Sequence, residues 1–312
     1  MKTDEDVAAC ICAATGATAA RRGERIQSLW SGWGEIVRFH LTGASVESVI
    51  LKRVQPPAIR RSDRGGQRKR QSYIVERTFY ADYAPRCPAR IPLSRHLAPG
   101  LFVLEDLDDA GFSGRGGWRL SQPHILRCLD WLATFHAAFL HTPPDGLWPV
   151  GTYWHLDTRP DEHAVMPAGP LKSAAAALDA ALSSARFQTL VHGDAKVANF
   201  CFGPDAVAAL DFQYVGGGCG MKDVAYFLGS ALDDAGLDAQ AEGLVTHYLA
   251  RLAAHLPAHI DADALEAEWR GLLPLAWADF ERFLVGWSPG HRMRGGYASR
   301  QTRIALSGLT AR

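Results

Sequence analysis

No apolar run in this chain comes near the roughly 20 residues that a helix needs to cross a bilayer, so no membrane partner is expected. Its cysteines, Cys10, Cys12, Cys87, Cys128, Cys201 and Cys219, form no CxxC pair and no tight Cys/His cluster. That pattern lacks zinc spacing and reads as reduced thiols in a cytoplasmic protein. Excess charge is also lacking: 33 Lys and Arg balance 33 Asp and Glu, so no global field recruits nucleic acid or an anionic surface. The segment Val7–Ala20 is rich in Ala and Cys, but Asp4, Glu5 and Asp6 ahead of it have the wrong sign for a secretory signal. Lysine is scarce beside arginine, and no internal repeat is present. With 312 residues, 47% of them apolar and 21% charged, the chain can bury a sizeable core. Two lobes sharing one cleft are expected.

The stretch Leu190-Val191-His192-Gly193-Asp194-Ala195-Lys196-Val197-Ala198-Asn199, followed by Ala209-Leu210-Asp211-Phe212-Gln213, points to chemistry. Phosphoryl transfer needs a carboxylate to orient a hydroxyl and accept its proton, with oxygen ligands holding magnesium against the phosphates. Asp194 supplies the first, and an Asn carboxamide and an Asp carboxylate are the hard donors magnesium takes. Thr189–Val191 and Val207–Leu210 read as strands, with a turn at Gly203-Pro204. Pairing them would bring Asp211 beside the loop of Asp194 and Asn199. The bland alternative is a hairpin whose polar residues only cap and turn.

The H-G-D-x-x-x-x-N pattern with a following D-F-Q resembles the catalytic and metal loops of the aminoglycoside phosphotransferase and choline kinase superfamily, with its closest likeness in the ecdysteroid-kinase-like branch. More loosely, the likeness runs from about Gly32 to about Tyr297. It implies an α+β, protein-kinase-like two-lobed fold: a small, mainly antiparallel β N-lobe, a larger, mostly helical C-lobe, and ATP between them. It implies Asp194 as catalytic base, Asn199 and Asp211 as magnesium ligands, and Lys196 as a catalytic group reaching the γ-phosphate. The acceptor would be a hydroxyl of a small molecule.

Along the chain, residues 1–23 are expected to form a loosely attached helix and linker, residues 24–107 the N-lobe ending in a hinge, and residues 108–312 the C-lobe. Ile36–Leu41 and Val46–Leu51 alternate as antiparallel strands joined at Thr42-Gly43. Ahead of them Ser31, Gly32 and Gly34 belong to a glycine-flanked turn whose amides could approach phosphate, though it departs from G-x-G-x-x-G. Lys52 lies in an apolar strand, where an ammonium needs an acid or a phosphate. The kinase reading supplies both, with Glu76 on the helical stretch Ser72–Tyr83 as the acid. The alternative is an edge-strand Lys52 and a solvated Glu76. Arg60–Arg70 reads as a mobile, solvated connection rather than a nucleic-acid patch. By the same resemblance, backbone around Glu105, Asp106 and Leu107 would hydrogen-bond adenine.

The remainder reads as helical: one helix from Ser121 and Pro123, a weaker one over Leu171–Leu182, then Gly236–Leu256, and Ala262–Trp287 interrupted at Pro274. His136 reads as core, Gly216–Gly220 as a pliable loop, and Asp223 as an N-cap bracing the catalytic loop. Trp269, Trp277, Phe280, Phe283 and Trp287, with Asp279 and Glu281, are candidates for the acceptor site, though aromatics at helical spacing more often pack a core. The tail Gly286–Arg292 would be a turn able to rim it. The leading function is an ATP- and Mg2+-dependent phosphotransferase acting on a small hydroxylated molecule, as a monomer or homodimer. The alternatives are a catalytically silent kinase-like scaffold, a protein kinase, or a nucleic-acid binder using the arginine-rich loop.

Overall fold

The computed structural model describes residues 3–60, 62–117 and 120–310. They form two compact units: Met1–Arg86, Arg90–Arg115 and Cys201–Gln213 in the first, and Cys87–Ala89, Gly116–Phe200 and Tyr214–Arg312 in the second.

The first unit follows from period-two alternation. After helix α1 (Asp4–Thr15) come strands β1 (Ala19–Ser28), β2 (Gly34–Thr42) and β3 (Ser48–Val54), helix α2 (Arg64–Thr78), strands β4 (Ser94–Ala98) and β5 (Leu101–Glu105), and the short β6 (Gly114–Arg115). The five longer strands make an antiparallel sheet in the order β1-β2-β3-β5-β4. Register pairs Val37 with Leu51 and Leu51 with Val103. One face therefore carries Val37, Phe39, Val49, Leu51 and Val103, and Val7 and Ile11 of α1 close that core. Lys52, one residue out of phase with Leu51, must point to the opposite face.

Two expectations are corrected here. The helix expected at the start of the chain is present as α1, but it is not loosely attached and leads into no linker: it buries Val7 and Ile11, and β1 starts at Ala19. As an edge strand of mostly exposed residues, β1 shows no apolar alternation to betray it. Nor is Arg60–Arg70, of which Arg61 lies outside the described residues, only a connection: it is largely solvated as expected, but Asp63 accepts from the Gly66 amide (2.8 Å) and caps α2, which starts at Arg64. Its first half faces solvent and so lacks an apolar stripe.

The second unit is mostly helical. Helix α3 (Gln122–Ala138) buries Ile125, Leu129, Leu132 and Phe135 on the expected stripe. Short helices α4 (Pro160–Ala164), α5 (Pro170–Ser173) and α6 (Ala175–Ser183) lead to β7 (Thr189–Val191). The chain then supplies β8 (Phe200–Phe202) and β9 (Val207–Ala209) to a three-stranded sheet with β6, which puts residues 201–213 in the first unit. It resumes with β10 (Gly216–Gly218), α7 (Met221–Ala231), α8 (Asp234–His255), α9 (Ala262–Trp287) and α10 (Gly296–Thr310).

The expected pairing of Thr189–Val191 with Val207–Leu210 does not occur: β7 pairs with β10 and β9 with β8. Gly216–Gly218 is therefore strand, not pliable loop; a Cβ at Gly216 would lie 2.2 Å from the Trp148 carbonyl oxygen. Helix α9 runs continuously through Pro274, whose neighbours Leu272, Leu273, Leu275, Ala276 and Trp277 are buried and hold the helix despite the lost hydrogen bond. Helix α10 has no counterpart in the sequence reading. Its buried face is Ala298, Thr302 and Ala305, too weakly apolar to stand out.

Among the described residues, no helix is long and apolar enough to cross a membrane.

Candidate functional site

In the first unit, Lys52 is 5% exposed and Glu76 1% exposed. The Lys52 ammonium donates to both Glu76 oxygens at 2.8 and 2.7 Å and lies 3.5 Å from Asp211 Oδ1. Burial pulls its value down, but the Glu76 and Asp211 carboxylates outweigh that and hold it above the ordinary lysine value. The expected pair thus forms. Asp211 sits at φ 70°, a left-handed backbone rare outside glycine. Phe212 after it stacks on Phe79 with centroids 4.1 Å apart, and Gln213 Oε1 accepts from Ser72 Oγ (3.1 Å). Those contacts with the α2 segment fix the strained turn.

The other N-terminal candidates differ in what they offer. Ser31 (φ 57°) and Gly32 (φ 71°) form the β1–β2 turn, and Gly34 opens β2 opposite Val54. The Gly32 amide already donates to the Leu29 carbonyl (3.1 Å). Glu105 accepts from both Arg90 nitrogens (2.8 and 2.7 Å), while Asp106 accepts from Arg38, Ser48 and the Asp108 amide. Leu107 is buried against Cys201 and Ala208. The carbonyls of Asp106 and Leu107 accept from the Ala110 and Phe112 amides (3.0 and 2.7 Å). These side chains brace the segment internally.

In the second unit, β7 delivers the chain into the H-G-D loop. Gly193 has φ 79°, and a Cβ there would meet the Tyr214 carbonyl oxygen at 2.1 Å, so only glycine fits between His192 and Asp194. Asp223 Oδ2 accepts from the His192 amide (2.5 Å) and Oδ1 from the Gly193 amide (2.9 Å). His136 Nε2 also lies 3.1 Å from Asp223, and its Nδ1 lies 2.7 Å from Tyr248 Oη. Both residues are fully buried. The bracing role stands, but Asp223 is no N-cap: it is the third residue of α7, and its oxygens serve the loop's amides. His136 is core, as expected.

Asp194 is 7% exposed. Its Oδ2 accepts from Lys196 Nζ (2.9 Å) and Asn199 Nδ2 (3.0 Å), and Oδ1 accepts from Tyr226 Oη (3.2 Å). The Asp194 amide donates to His192 Nδ1 (3.2 Å). Burial and the Asp194 charge push the Tyr226 hydroxyl well above the ordinary tyrosine range, and burial does the same to Tyr153. Tyr226 therefore stays a donor. Sequence reasoning missed it, though it lies one turn after Asp223 on the same helix face.

Asn199 Nδ2 also donates to the Asp194 carbonyl (2.8 Å), which spends the amide nitrogen and makes the carboxamide oxygen the atom to offer a cation. Asn199 and Asp211 are hard oxygen donors, the chemistry magnesium takes. One or two protein ligands suffice when phosphates and water complete its shell. Among the described residues, no group of three or more His, Cys, Asp or Glu side chains could hold a metal.

The C-terminal aromatics behave as core. Trp269, Trp277, Phe280 and Phe283 are each at most 2% exposed, whereas Trp287 is 51% exposed. Asp279 pairs with Arg282 (2.8 Å) and accepts from Trp154 Nε1 (3.0 Å), while Glu281 accepts from the Ser299 and Thr302 hydroxyls. Those acids are not open to a polyamine. A cleft of ≈300 Å3 lies elsewhere in this unit, lined in part by Lys196, Tyr226, Ser230, His291, Arg292 and Met293.

A sequence profile of the Ecdysteroid kinase-like family matches residues 172–259, the stretch that contains Asp194, Asn199, Asp211 and Asp223. No curated protein matches the chain. Among solved structures, a choline kinase from Cryptosporidium parvum Iowa II is 9% identical with TM-score 0.55, covering 94% of this chain and 89% of its own. The amicoumacin kinase hAmiN, in complex with AMP-PNP, Ca2+ and Ami, is 15% identical with TM-score 0.54, covering 99% and 94%. The macrolide 2'-phosphotransferase MphH from Brachybacterium faecium is 15% identical with TM-score 0.50, covering 93% and 91%. The fold is kinase-like: an antiparallel sheet in the N-terminal region and helices in the C-terminal part.

Proposed function

We propose that this protein is an ATP- and magnesium-dependent phosphotransferase that moves the γ-phosphate to a hydroxyl of a small molecule. The observation that carries the reading is Asp194, a nearly buried carboxylate tethered by Lys196, Asn199 and Tyr226 on a loop whose amides Asp223 pins. A carboxylate so held can orient a hydroxyl and take its proton as the oxygen attacks phosphorus. Lys52, kept charged by Glu76, would bind the α- and β-phosphates, and Lys196 the γ-phosphate. Asn199 and Asp211 would hold magnesium, which when bound offsets the phosphate charge. The backbone around Glu105, Asp106 and Leu107 would face adenine, and the turn at Ser31, Gly32 and Gly34 would cover the phosphates.

The likeness to a choline kinase, an amicoumacin kinase and a macrolide phosphotransferase favours a small-molecule acceptor. Six free thiols suit a cytoplasmic setting. The test is transfer of labelled γ-phosphate into a metabolite pool. Asp194→Asn is expected to lower acceptor-dependent transfer by about 100-fold or more while retaining nucleotide. Asp211→Ala is expected to lose metal-dependent nucleotide binding. Normal rates in both variants would refute the assignment.

A further inference from the structure

We propose that the acceptor carries a carboxylate or phosphate group beside its reacting hydroxyl, and that it binds in the cleft where Lys196 and Arg292 lie. This inference rests on the phosphotransfer reading and names the substrate class that reading leaves open.

Two residues of the cleft wall touch the Asp194 carboxylate. Lys196 Nζ lies 2.9 Å from Oδ2 and Tyr226 Oη 3.2 Å from Oδ1. A molecule seated against them would lie within one side chain of the base. At ≈300 Å3, the cleft is at the small end of ligand pockets, suited to a metabolite rather than an oligosaccharide.

Among the described residues, the charged side chains that line the cleft are Lys196, whose ammonium also pairs with Asp194 (2.9 Å), and Arg292; no carboxylate lines it. Arg292 Nη2 donates to the Ser230 carbonyl (2.8 Å), which orients the guanidinium at the rim. A guanidinium presents five N–H donors in a planar fork, which matches a carboxylate or phosphate. His291 beside it is pushed below the ordinary imidazole value by burial and by Arg292, so near neutral pH it offers a neutral ring. Cationic acceptors meet the opposite conditions. Asp279 and Glu281, the acids that might have cradled a polyamine, are spent on Arg282, Trp154, Ser299 and Thr302. Trp154, Trp269 and Trp277, fully buried, cannot cage a quaternary ammonium, and the exposed Trp287 is stacked on Phe283.

In the transfer, the acceptor hydroxyl oxygen bonds to the γ-phosphorus. The bond from that phosphorus to the β-γ bridging oxygen breaks, and ADP leaves with the electron pair. The hydroxyl proton passes to Asp194. The product is a phosphomonoester that retains the acceptor's original anionic group.

The experiment separates a mixed bacterial and yeast small-molecule extract by ion exchange into cationic, neutral and anionic pools. Each pool is incubated with the full-length protein, Mg2+ and γ-labelled ATP, with Asp194→Asn as control. The expected result is Asp194-dependent transfer in the anionic pool. Arg292→Glu should then raise the apparent KM for that pool at least tenfold and Arg292→Lys recover part of it, with each variant's fold checked by its thermal shift with Mg·ATP. Transfer confined to the neutral or cationic pool overturns the inference and leaves the phosphotransferase reading intact. So does an Arg292→Glu protein that folds and keeps the wild-type KM. No transfer in any pool overturns the phosphotransferase reading, and this inference with it.

Discussion

At the scale of single residues, the Lys52–Glu76 pair shows how burial makes a charge conditional. Both groups are nearly inaccessible, and each is tolerated because the other is 2.7–2.8 Å away. Lys52→Met strands Glu76 without a cation and should cost about 3 kcal/mol or more in urea unfolding. The double variant Lys52→Met/Glu76→Leu should recover most of that loss, because an apolar pair has no desolvation to repay. A double variant less stable than the single one would contradict this account. The apolar strand around Lys52 made an acidic partner foreseeable from the sequence. Tyr226 was not foreseeable, because a tyrosine on a buried helix is ordinary until its hydroxyl is seen on Asp194.

At the scale of elements, helix α7 and the H-G-D loop act together through Asp223. One carboxylate accepts from two consecutive loop amides and lies against His136, so the loop's conformation depends on a residue about thirty positions downstream. Asp223→Asn keeps the shape but turns one oxygen into a donor facing an N–H. Amide hydrogen exchange at His192 and Gly193 should accelerate at least tenfold in that variant, with phosphotransfer falling alongside. Unchanged protection would show that the loop holds itself. Elements with strong periodicity, such as α3, α8 and α9, were legible in the sequence. The edge strand β1, the solvent-facing first half of α2, and α10 with its small buried face were not, because none buries a wide apolar stripe.

At the scale of the whole molecule, stability should fall in acid. Burial alone would raise the Asp279 carboxyl, but Lys222 and Arg282 hold it at about 2, below the ordinary value of 3.8. A carboxyl with a depressed folded-state pKa contributes fully above its unfolded value, and the contribution is lost as pH falls toward the folded one. Between pH 4 and pH 2, unfolding free energy should therefore drop by about 2 kcal/mol from this group. Urea denaturation across that window checks it, with Asp279→Asn expected to lose the slope. A flat wild-type response would contradict the assignment.

The sequence alone determined the identity of the chemical groups: a carboxylate, a carboxamide and a second carboxylate at fixed spacing, and a lysine in an apolar strand that requires a partner. Those are local properties, set by residue type and by the period of the backbone. Only the tertiary structure decided which strands pair, that Gly216–Gly218 is a strand pressed against Trp148, that Tyr226 reaches Asp194, and that Asp279 and Glu281 face inward. Each of those depends on contacts between residues distant along the chain, where packing chooses among partners that local pattern leaves equivalent.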